Sequence, residues 1–290
     1  MSDLEQTAIE RLKAASDMIL RLFEKPLVIT YSGGKDSDVL LHLAQASGIP
    51  FEALHSLTTA DAPETVRHVY DTFYRLEGNG IQCTVNKHVQ PDGSRMTMWN
   101  LIPRKLIPPM RLARYCCAEL KEGGGKGRFI ATGVRWAESV ARKKNRGALE
   151  VLHSNRKKSL ILANDNDEDR RLFETCQMKG ERVVNPIVDW QEADVLDYAA
   201  AEKIPMNPLY CEGFHRVGCV GCPMASKART MEFARYPRIK AAYIRAFDRM
   251  LEERRKRSLP CQWQSGVDVF HWWMEDGVLP GQEVLGGFEE

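Results

Sequence analysis

The segment that most restricts what this chain can fold into is Ser32-Gly33-Gly34-Lys35-Asp36-Ser37. It lies between a short apolar run, Leu27-Val28-Ile29-Thr30-Tyr31, and a helical pattern that begins at Val39-Leu40-Leu41. An uninterrupted apolar run of this length reads as a buried strand. A strand that passes through two glycines straight into a helix builds a concavity at the helix N-terminus. Backbone N–H groups converge there, and phosphate oxygens bind well. Gly33 and Gly34 supply tolerance of positive φ and room for close approach. Ser32 and Ser37 add hydroxyl donors, and Lys35 adds a compact positive charge. The spacing is not the Gly-x4-Gly-Lys-Ser/Thr of the Walker A loop. The same residues could also form a surface turn in which Asp36 caps the helix.

The surrounding pattern predicts an α/β fold. Leu4, Ile9, Leu12, Ala15, Ile19, Leu22 and Phe23 recur at helical spacing over residues 3–24, and Lys25-Pro26 ends that helix. Strands are expected at 51–56, 81–86, 129–134 and 183–188, and helices at 63–76, 115–122, 191–202 and 240–257. Residues 88–112, rich in Pro, Met and Arg, read as a loop with short helical turns. Gly123-Gly124-Gly125 and Asn164-Asp165-Asn166-Asp167 read as interruptions. Strand and helix in alternation imply a parallel sheet with helices on both faces. The expected division is a nucleotide-binding domain over 1–210 and a C-terminal element over 211–290.

Composition bounds the rest. Of 290 residues, 43% are hydrophobic and 28% charged, as in an ordinary globular chain. No apolar run reaches the roughly 18 residues of a membrane-spanning helix. The first residues lack the layout of a signal peptide, so the expected location is cytoplasmic with no membrane partner. A net charge of +2 does not by itself mark a nucleic-acid binder. Local clusters at Arg135, Arg142, Lys143, Lys144, Arg146, Arg156, Lys157 and Lys158, and at 254–257, read either as solvated faces or as nucleic-acid surfaces.

Eight cysteines in a reducing compartment do not imply disulfides. Adjacent Cys116-Cys117 and the Cys219-x-x-Cys222 pair are candidate metal ligands. Cys83, Cys176 and Cys261 read as packing residues. Thiolates suit zinc or an iron–sulfur cluster. Adjacent cysteines are awkward around one small ion and easier around a cluster whose separate irons offer separate corners.

Ser-Gly-Gly-Lys-Asp-Ser between strand and helix resembles the PP-loop of ATP pyrophosphatases and sulfonucleotide reductases. Asn185-Pro186-Ile187-Val188-Asp189-Trp190, Asp194-Val195, Ile204 through Tyr210, Gly213-Phe214 and Arg216 through Pro223 resemble the distal segment of the phosphoadenylyl sulfate reductase family. Thr59 through Thr65 is similar to its Pro-Glu-Thr turn, and Gly133 through Arg142 to its Gly-x-Arg-x-x-Glu/Gln-Ser-x-x-Arg segment. The resemblance covers roughly residues 25–225. It implies a nucleotide site of Ser32, Gly33, Gly34, Lys35, Asp36, Ser37, Asp61, Gly133, Arg135, Glu138 and Arg142, with Lys35, Arg135 and Arg142 catalytic. Planar guanidinium groups suit phosphate or sulfate through paired hydrogen bonds. It also implies a 4Fe–4S cluster on Cys116, Cys117, Cys219 and Cys222, with zinc as the alternative and Cys211 a bystander.

The family's reductases carry a Glu-Cys-Gly-x-His tail whose cysteine attacks the sulfonucleotide. Here Cys261 lacks those neighbours, and no cysteine follows it. Gln262–Gly277, with three tryptophans, reads instead as a packed element. The expected activity is therefore ATP pyrophosphatase chemistry, with ATP and Mg2+, that activates a nucleic acid (DNA or tRNA) for sulfur transfer. A cysteine desulfurase would be the sulfur donor. Reduction of adenylyl sulfate or its phosphorylated form is second, and a non-catalytic nucleotide sensor is third.

Overall fold

In the computed structural model, which describes residues 2–90, 92–121, 128–152, 160–162, 181–225 and 227–275, β1 has Leu27, Val28 and Ile29 buried in succession. Side chains alternate across a strand, so three consecutive buried residues mean that both faces are covered. Gly123–Gly125, Asn164–Asp167, Arg156, Lys157, Lys158, Cys176 and residues 276–290 lie outside the described residues.

In chain order the elements are α1 (Asp3–Phe23), β1 (Leu27–Thr30), α2 (Lys35–Ala46), β2 (Phe51–Ser56), α3 (Pro63–Gly78), β3 (Cys83–Asn86), α4 (Met98–Lys105) and α5 (Tyr115–Leu120). They continue with β4 (Phe129–Ala131), α6 (Val140–Asn145), β5 (Leu149–Leu152), β6 (Leu160–Leu162), β7 (Glu181–Val184), α7 (Glu192–Ala201), α8 (Ala228–Arg235), α9 (Pro237–Lys256) and α10 (Gly266–Met274). Residues 1–57, 63–87 and 122–218 form one compact unit; 58–62, 88–121 and 219–290 form another. The two interleave along the chain, which differs from the expected single boundary at residue 210, because 58–62 and 88–121 group with the C-terminal residues.

The first unit is built on a seven-stranded sheet of order β3-β2-β1-β4-β7-β5-β6. The expected parallel arrangement holds from β3 through β7. The sheet is nonetheless mixed, since β5 runs antiparallel to both β7 and β6. Seven residues separate β5 from β6, too few for a parallel crossover. The expected strand over 183–188 is shorter and earlier, because Pro186–Asp189 is a turn. Helix α1 buries Ala8, Ile9, Leu12, Ala15, Met18 and Ile19 against this core. Its start is fixed by a capping box in which Glu5 N donates to Ser2 Oγ and Ser2 N to Glu5 Oε2, each at 3.2 Å. A bidentate pair ties it to the 186–190 turn, with Arg11 Nη1 and Nη2 at 2.8 and 3.0 Å from Asp189.

From β1 the chain moves outward through β2 to β3, then returns to place β4 and β7 on the other side of β1. The connections therefore diverge at the C-terminal ends of β1 and β4. In an open α/β sheet, that reversal is where ligands bind.

The second unit packs α8, α9 and α10 around Phe233, Tyr243, Phe247, Phe270 and Trp273. Trp273 is buried and donates from Nε1 to Pro109 O at 2.6 Å; Trp263 is also buried. These tryptophans are core, as expected. Part of the 254–257 basic cluster is committed to structure. Arg254 Nη1 donates to Leu106 O at 2.8 Å, and Arg255 Nη2 to Gln264 O at 2.9 Å. The loop expected over 88–112 contains a full helix, α4, capped by Thr97, whose Oγ1 accepts from Asn100 N.

One buried polar node holds the strand ends together. Glu150 is fully buried, yet it pairs with Arg146 at 2.8 Å and accepts from Gly147 N at 3.0 Å and Asn185 Nδ2 at 2.7 Å. Asn185 Oδ1 in turn accepts from Thr132 Oγ1 at 2.5 Å. Removing the amide leaves a buried carboxylate short of a donor, a loss of about 1–3 kcal/mol. Asn185→Ala should lower the urea midpoint of unfolding accordingly, while Lys144→Ala, at an exposed position of α6, should not move it.

Candidate functional site

The Ser32–Ser37 loop leaves β1 at the point where the strand order reverses. Gly33 has φ +74°, a conformation that suits glycine, and a Cβ added there would lie 3.0 Å from Val69 Cγ2 and 3.1 Å from Thr65 Cγ2. Gly34 is extended instead, at φ −106°, and forms the N-cap of α2. Positive φ was expected of both glycines; only Gly33 requires it, because only there does the backbone turn back against α3.

Ser37 Oγ is the internal tie. It accepts from Ser32 N and Gly34 N, each at 3.2 Å, and donates to Gly34 O at 2.8 Å. Lys35 N donates to the Tyr210 hydroxyl at 3.0 Å. The Lys35 ammonium, on a buried side chain, is 3.3 Å from Glu192 Oε1 and from His215 O, and 5.4 Å from the Tyr210 ring centroid. Asn207 is fully buried; its Nδ2 donates to Gly33 O at 2.8 Å and to Thr65 Oγ1 at 3.1 Å. The loop is therefore held at its glycine by Asn207 and at its lysine by Tyr210.

The β4 end meets this loop closely. A Cβ on Gly133 would lie 3.0 Å from Asp36 O, so glycine lets the chain after β4 pass the start of α2 without pushing that backbone aside. Arg135 is buried, with Nε 2.5 Å from Asp36 Oδ1 and Nη1 3.4 Å from Trp190 O. Its backbone N donates to Glu138 Oε1 at 2.9 Å, and Glu138 pairs with Arg142 one turn on. Lys143 and Lys144 are exposed on α6. Ser32, Gly33, Gly34, Lys35, Asp36, Ser37, Gly133, Arg135, Glu138 and Arg142 thus all belong to the first unit. Asp61 belongs to the second. There it accepts from Thr58 N at 2.8 Å and bridges strand-fashion to Cys219.

Asn207 and Tyr210 fall within a segment whose likeness was recognised on the sequence without a role for either. A buried polar group behind the loop also escaped notice. Asp38 Oδ1 accepts from the Tyr31 hydroxyl at 2.6 Å and lies 2.9 Å from His68 Nε2. Burial pushes the Asp38 carboxyl above the usual carboxylate range, against the pull of His68. The available signal was a charged residue directly before Val39-Leu40-Leu41.

In the second unit, Cys116, Cys117, Cys219 and Cys222 line one narrow cavity with Thr58, Lys121 and Tyr243. All four are free thiols. Cys116 and Cys117 enter on the short α5; Cys219 and Cys222 flank Gly221, whose φ is +75°. A Cβ at Gly221 would lie 2.3 Å from Phe233 Cζ, so the aromatic core fixes the turn that presents both cysteines. Gly221 N donates to Glu232 Oε2 at 2.7 Å, and the Tyr243 hydroxyl to Val220 O at 3.0 Å. Burial pushes the Cys219 thiol up, while Lys121 beside it pulls the other way. The hydrogen bond to Cys117, then burial, does the same to Cys116. Among the described residues no three His, Cys, Asp or Glu side chains close on a single metal ion. The free space is about 20 Å3, room for about one water. Cys211 and Cys261 are exposed elsewhere, and Cys83 is half-buried with its thiol pushed up to about 12, chiefly by burial.

Residues 26–225 match the model of the phosphoadenosine phosphosulfate reductase domain. The chain belongs to that family. This PP-loop chain is 31% identical over 211 residues to sulfate adenylyltransferase subunit 2 of Rhodopseudomonas palustris (strain BisB18), covering 70% of this chain and 61% of the relative. It thus spans about three fifths of the curated relatives' length. Among solved structures it is similar to a phosphoadenylyl-sulfate reductase from Candida auris, at TM-score 0.46 and 14% identity over 76% of this chain and 96% of that one. It is also similar to a U34-tRNA thiolase from Methanococcus maripaludis, solved with its [4Fe–4S] cluster, at TM-score 0.41 and 14% identity over 89% and 83%. The curated relative is named for an enzyme, an adenylyltransferase. Among the described residues no helix is long and apolar enough to cross a membrane.

Gly33→Ala tests the loop. The strained φ and the contacts at 3.0 and 3.1 Å together cost about 1–2 kcal/mol at the loop, or about tenfold in affinity for any phosphate ligand it holds. If ATP is that ligand, titration calorimetry should show the loss, with the circular dichroism spectrum unchanged.

Proposed function

We propose that this chain is an iron–sulfur PP-loop enzyme that uses ATP to adenylylate a nucleic-acid acceptor for sulfur transfer. The carrying observation is the Ser32–Ser37 loop itself, at the sheet's reversal point with buried Lys35 and the Arg135–Asp36 pair beside it. The likeness to sulfate adenylyltransferase subunit 2, a protein named for adenylyl transfer, supports ATP over a sulfonucleotide.

In this reading the triphosphate takes the place of the loop's internal partners. Phosphate oxygens accept from Ser32 N, Gly34 N and Lys35 N, which Ser37 Oγ and the Tyr210 hydroxyl now satisfy. Lys35 moves from Glu192 to the β- and γ-phosphates, where its charge matters most as pyrophosphate departs. An acceptor oxygen attacks the α-phosphorus, the bond to pyrophosphate breaks, and a sulfur nucleophile then displaces AMP from the adenylylated acceptor. The sulfur comes from a donor such as a cysteine desulfurase. Arg135 holds Asp36 away from the phosphates by pairing with it. Arg142, Lys143 and Lys144 present a cationic edge to the acceptor's backbone. Mg2+ enters with the nucleotide.

Four free thiols on one cavity fit a 4Fe–4S cluster in donor chemistry, with Cys116, Cys117, Cys219 and Cys222 as ligands. When bound, such a cluster supplies a thiophilic iron or an electrostatic field. Asp61, whose Oδ1 is 3.9 Å from Cys219 Sγ, would flank that cluster rather than the nucleotide.

Two outcomes test this reading. With ATP and an added nucleic-acid acceptor, the protein should release AMP and pyrophosphate. Lys35→Ala should cut that rate about 100-fold, and Lys143→Glu with Lys144→Glu should weaken acceptor binding and flatten its salt dependence. Thioredoxin-dependent sulfite release from adenylyl sulfate would show a reductase instead.

Anaerobically purified protein should carry about four irons per chain. Cys219→Ser should lose them and Cys83→Ser should not. Stoichiometric zinc without iron would remove the cluster.

A further inference from the structure

We propose that Asp38 is a positioning residue for the Ser32–Ser37 loop, closing it at its base through the Tyr31 hydroxyl and anchoring that closure on His68 of α3. The inference deepens the reading of this loop as the nucleotide site and rests on it for its functional consequence.

Tyr31 and Asp38 are the residues on either side of the six-residue loop. The Tyr31 hydroxyl donates to Asp38 Oδ1 at 2.6 Å, so a single hydrogen bond spans the loop's two ends. Tyr31 is itself fixed to the sheet, with its N donating to Leu54 O at 2.8 Å and its O 2.9 Å from His55 Nδ1. Asp38 is fixed to α2. The contact therefore transmits the rigidity of the sheet to the first turn of the helix whose N-terminus faces the loop.

His68 Nε2 lies 2.9 Å from the same Asp38 oxygen, and the Tyr31 hydroxyl lies 3.2 Å from Thr72 Oγ1, which also accepts from Arg75 Nη2 at 3.1 Å. The groups facing Asp38 are thus Tyr31 at the end of β1 and His68, Thr72 and Arg75 on α3. Helix α3 also supplies Thr65 and Val69, which pack against Gly33. Loop base and loop apex consequently share one helix.

Tyr31, Asp38 and His68 are all buried, and Asp38 Oδ2 has no hydrogen-bonding partner among the described residues. A carboxylate in such a place is costly. An apolar residue would pack beside Val39 and Leu40 without that cost. What the carboxylate adds is the acceptor for Tyr31 and His68, which matches a demand for one loop geometry rather than for core stability.

The test is hydrogen exchange of the peptide covering residues 27–41 in the nucleotide-free full chain, alongside ATP titration, for Tyr31→Phe, Asp38→Asn and Asp38→Val. Tyr31→Phe and Asp38→Val should speed exchange at the loop amides about tenfold and weaken ATP about tenfold, the cost of one lost buried hydrogen bond. Exchange in α1 and α7 should be unchanged. Asp38→Asn keeps an acceptor oxygen and should restore most of both. Wild-type exchange and affinity in Tyr31→Phe, or faster exchange spread across the whole first unit, overturns the proposal. Should Asp38→Val not fold, Tyr31→Phe decides, since it removes a single oxygen and leaves the ring in place. Faster loop exchange in the variants of a protein that binds no ATP would sustain the clasp and sink the nucleotide reading.

Discussion

Covering β1 on both faces is the constraint on which the first unit depends. Leu27, Val28 and Ile29 are buried in turn, so β1 must lie inside the sheet with neighbours on each side. A central strand whose neighbours lead away in opposite directions leaves a crevice at its C-terminal end. The residues emerging there must turn sharply without side-chain bulk, and Gly33 and Gly133 meet that demand in different ways. Gly33 adopts a positive φ against Thr65 and Val69; Gly133 lets the chain after β4 pass the Asp36 carbonyl.

The loop is over-determined rather than merely permitted. Asn207 holds its glycine carbonyl, Tyr210 its lysine amide, Ser37 two of its own amides, and Asp38 its base. Each partner also satisfies a polar group, an acceptor for Asn207 and donors for the other three, that would be expensive to bury alone. In the proposed reading a phosphate oxygen takes over the Ser37 and Tyr210 contacts at little net cost, because one acceptor oxygen replaces another. The Asn207 and Asp38 contacts face the fold and keep the geometry during that exchange.

The second unit solves a different problem with the same economy. Its cysteines come from two stretches a hundred residues apart, and neither stretch is long enough to be rigid alone. Gly221 pressed against Phe233, the Tyr243 hydroxyl on Val220 and Trp273 on Pro109 supply the rigidity from an aromatic core. Arg229, buried with its guanidinium on the carbonyls of Trp273 and Met274, closes the end of α10 over that core.

Local pattern was enough to place β1, the loop, α2, β2, α3 and the long basic helix, because each rests on a period or a breaker visible within a dozen residues. The loop residues and the two cysteine pairs stand out by residue type at short spacing, whereas Gly133 and Arg135 are candidates only through the family resemblance. Tertiary structure decided what spacing cannot encode. Whether Arg135 is free or spent on Asp36, that Asp61 sits beside Cys219, and that β5 runs antiparallel to β7 all depend on partners far away in sequence. Asp38 is the sharpest case. In the sequence it is an acidic residue in the first turn of a helix, where exposure to water would be expected; only the packing of α3 over β1 turns it into a buried acceptor, because burial is a property of what surrounds a residue and not of the residue itself.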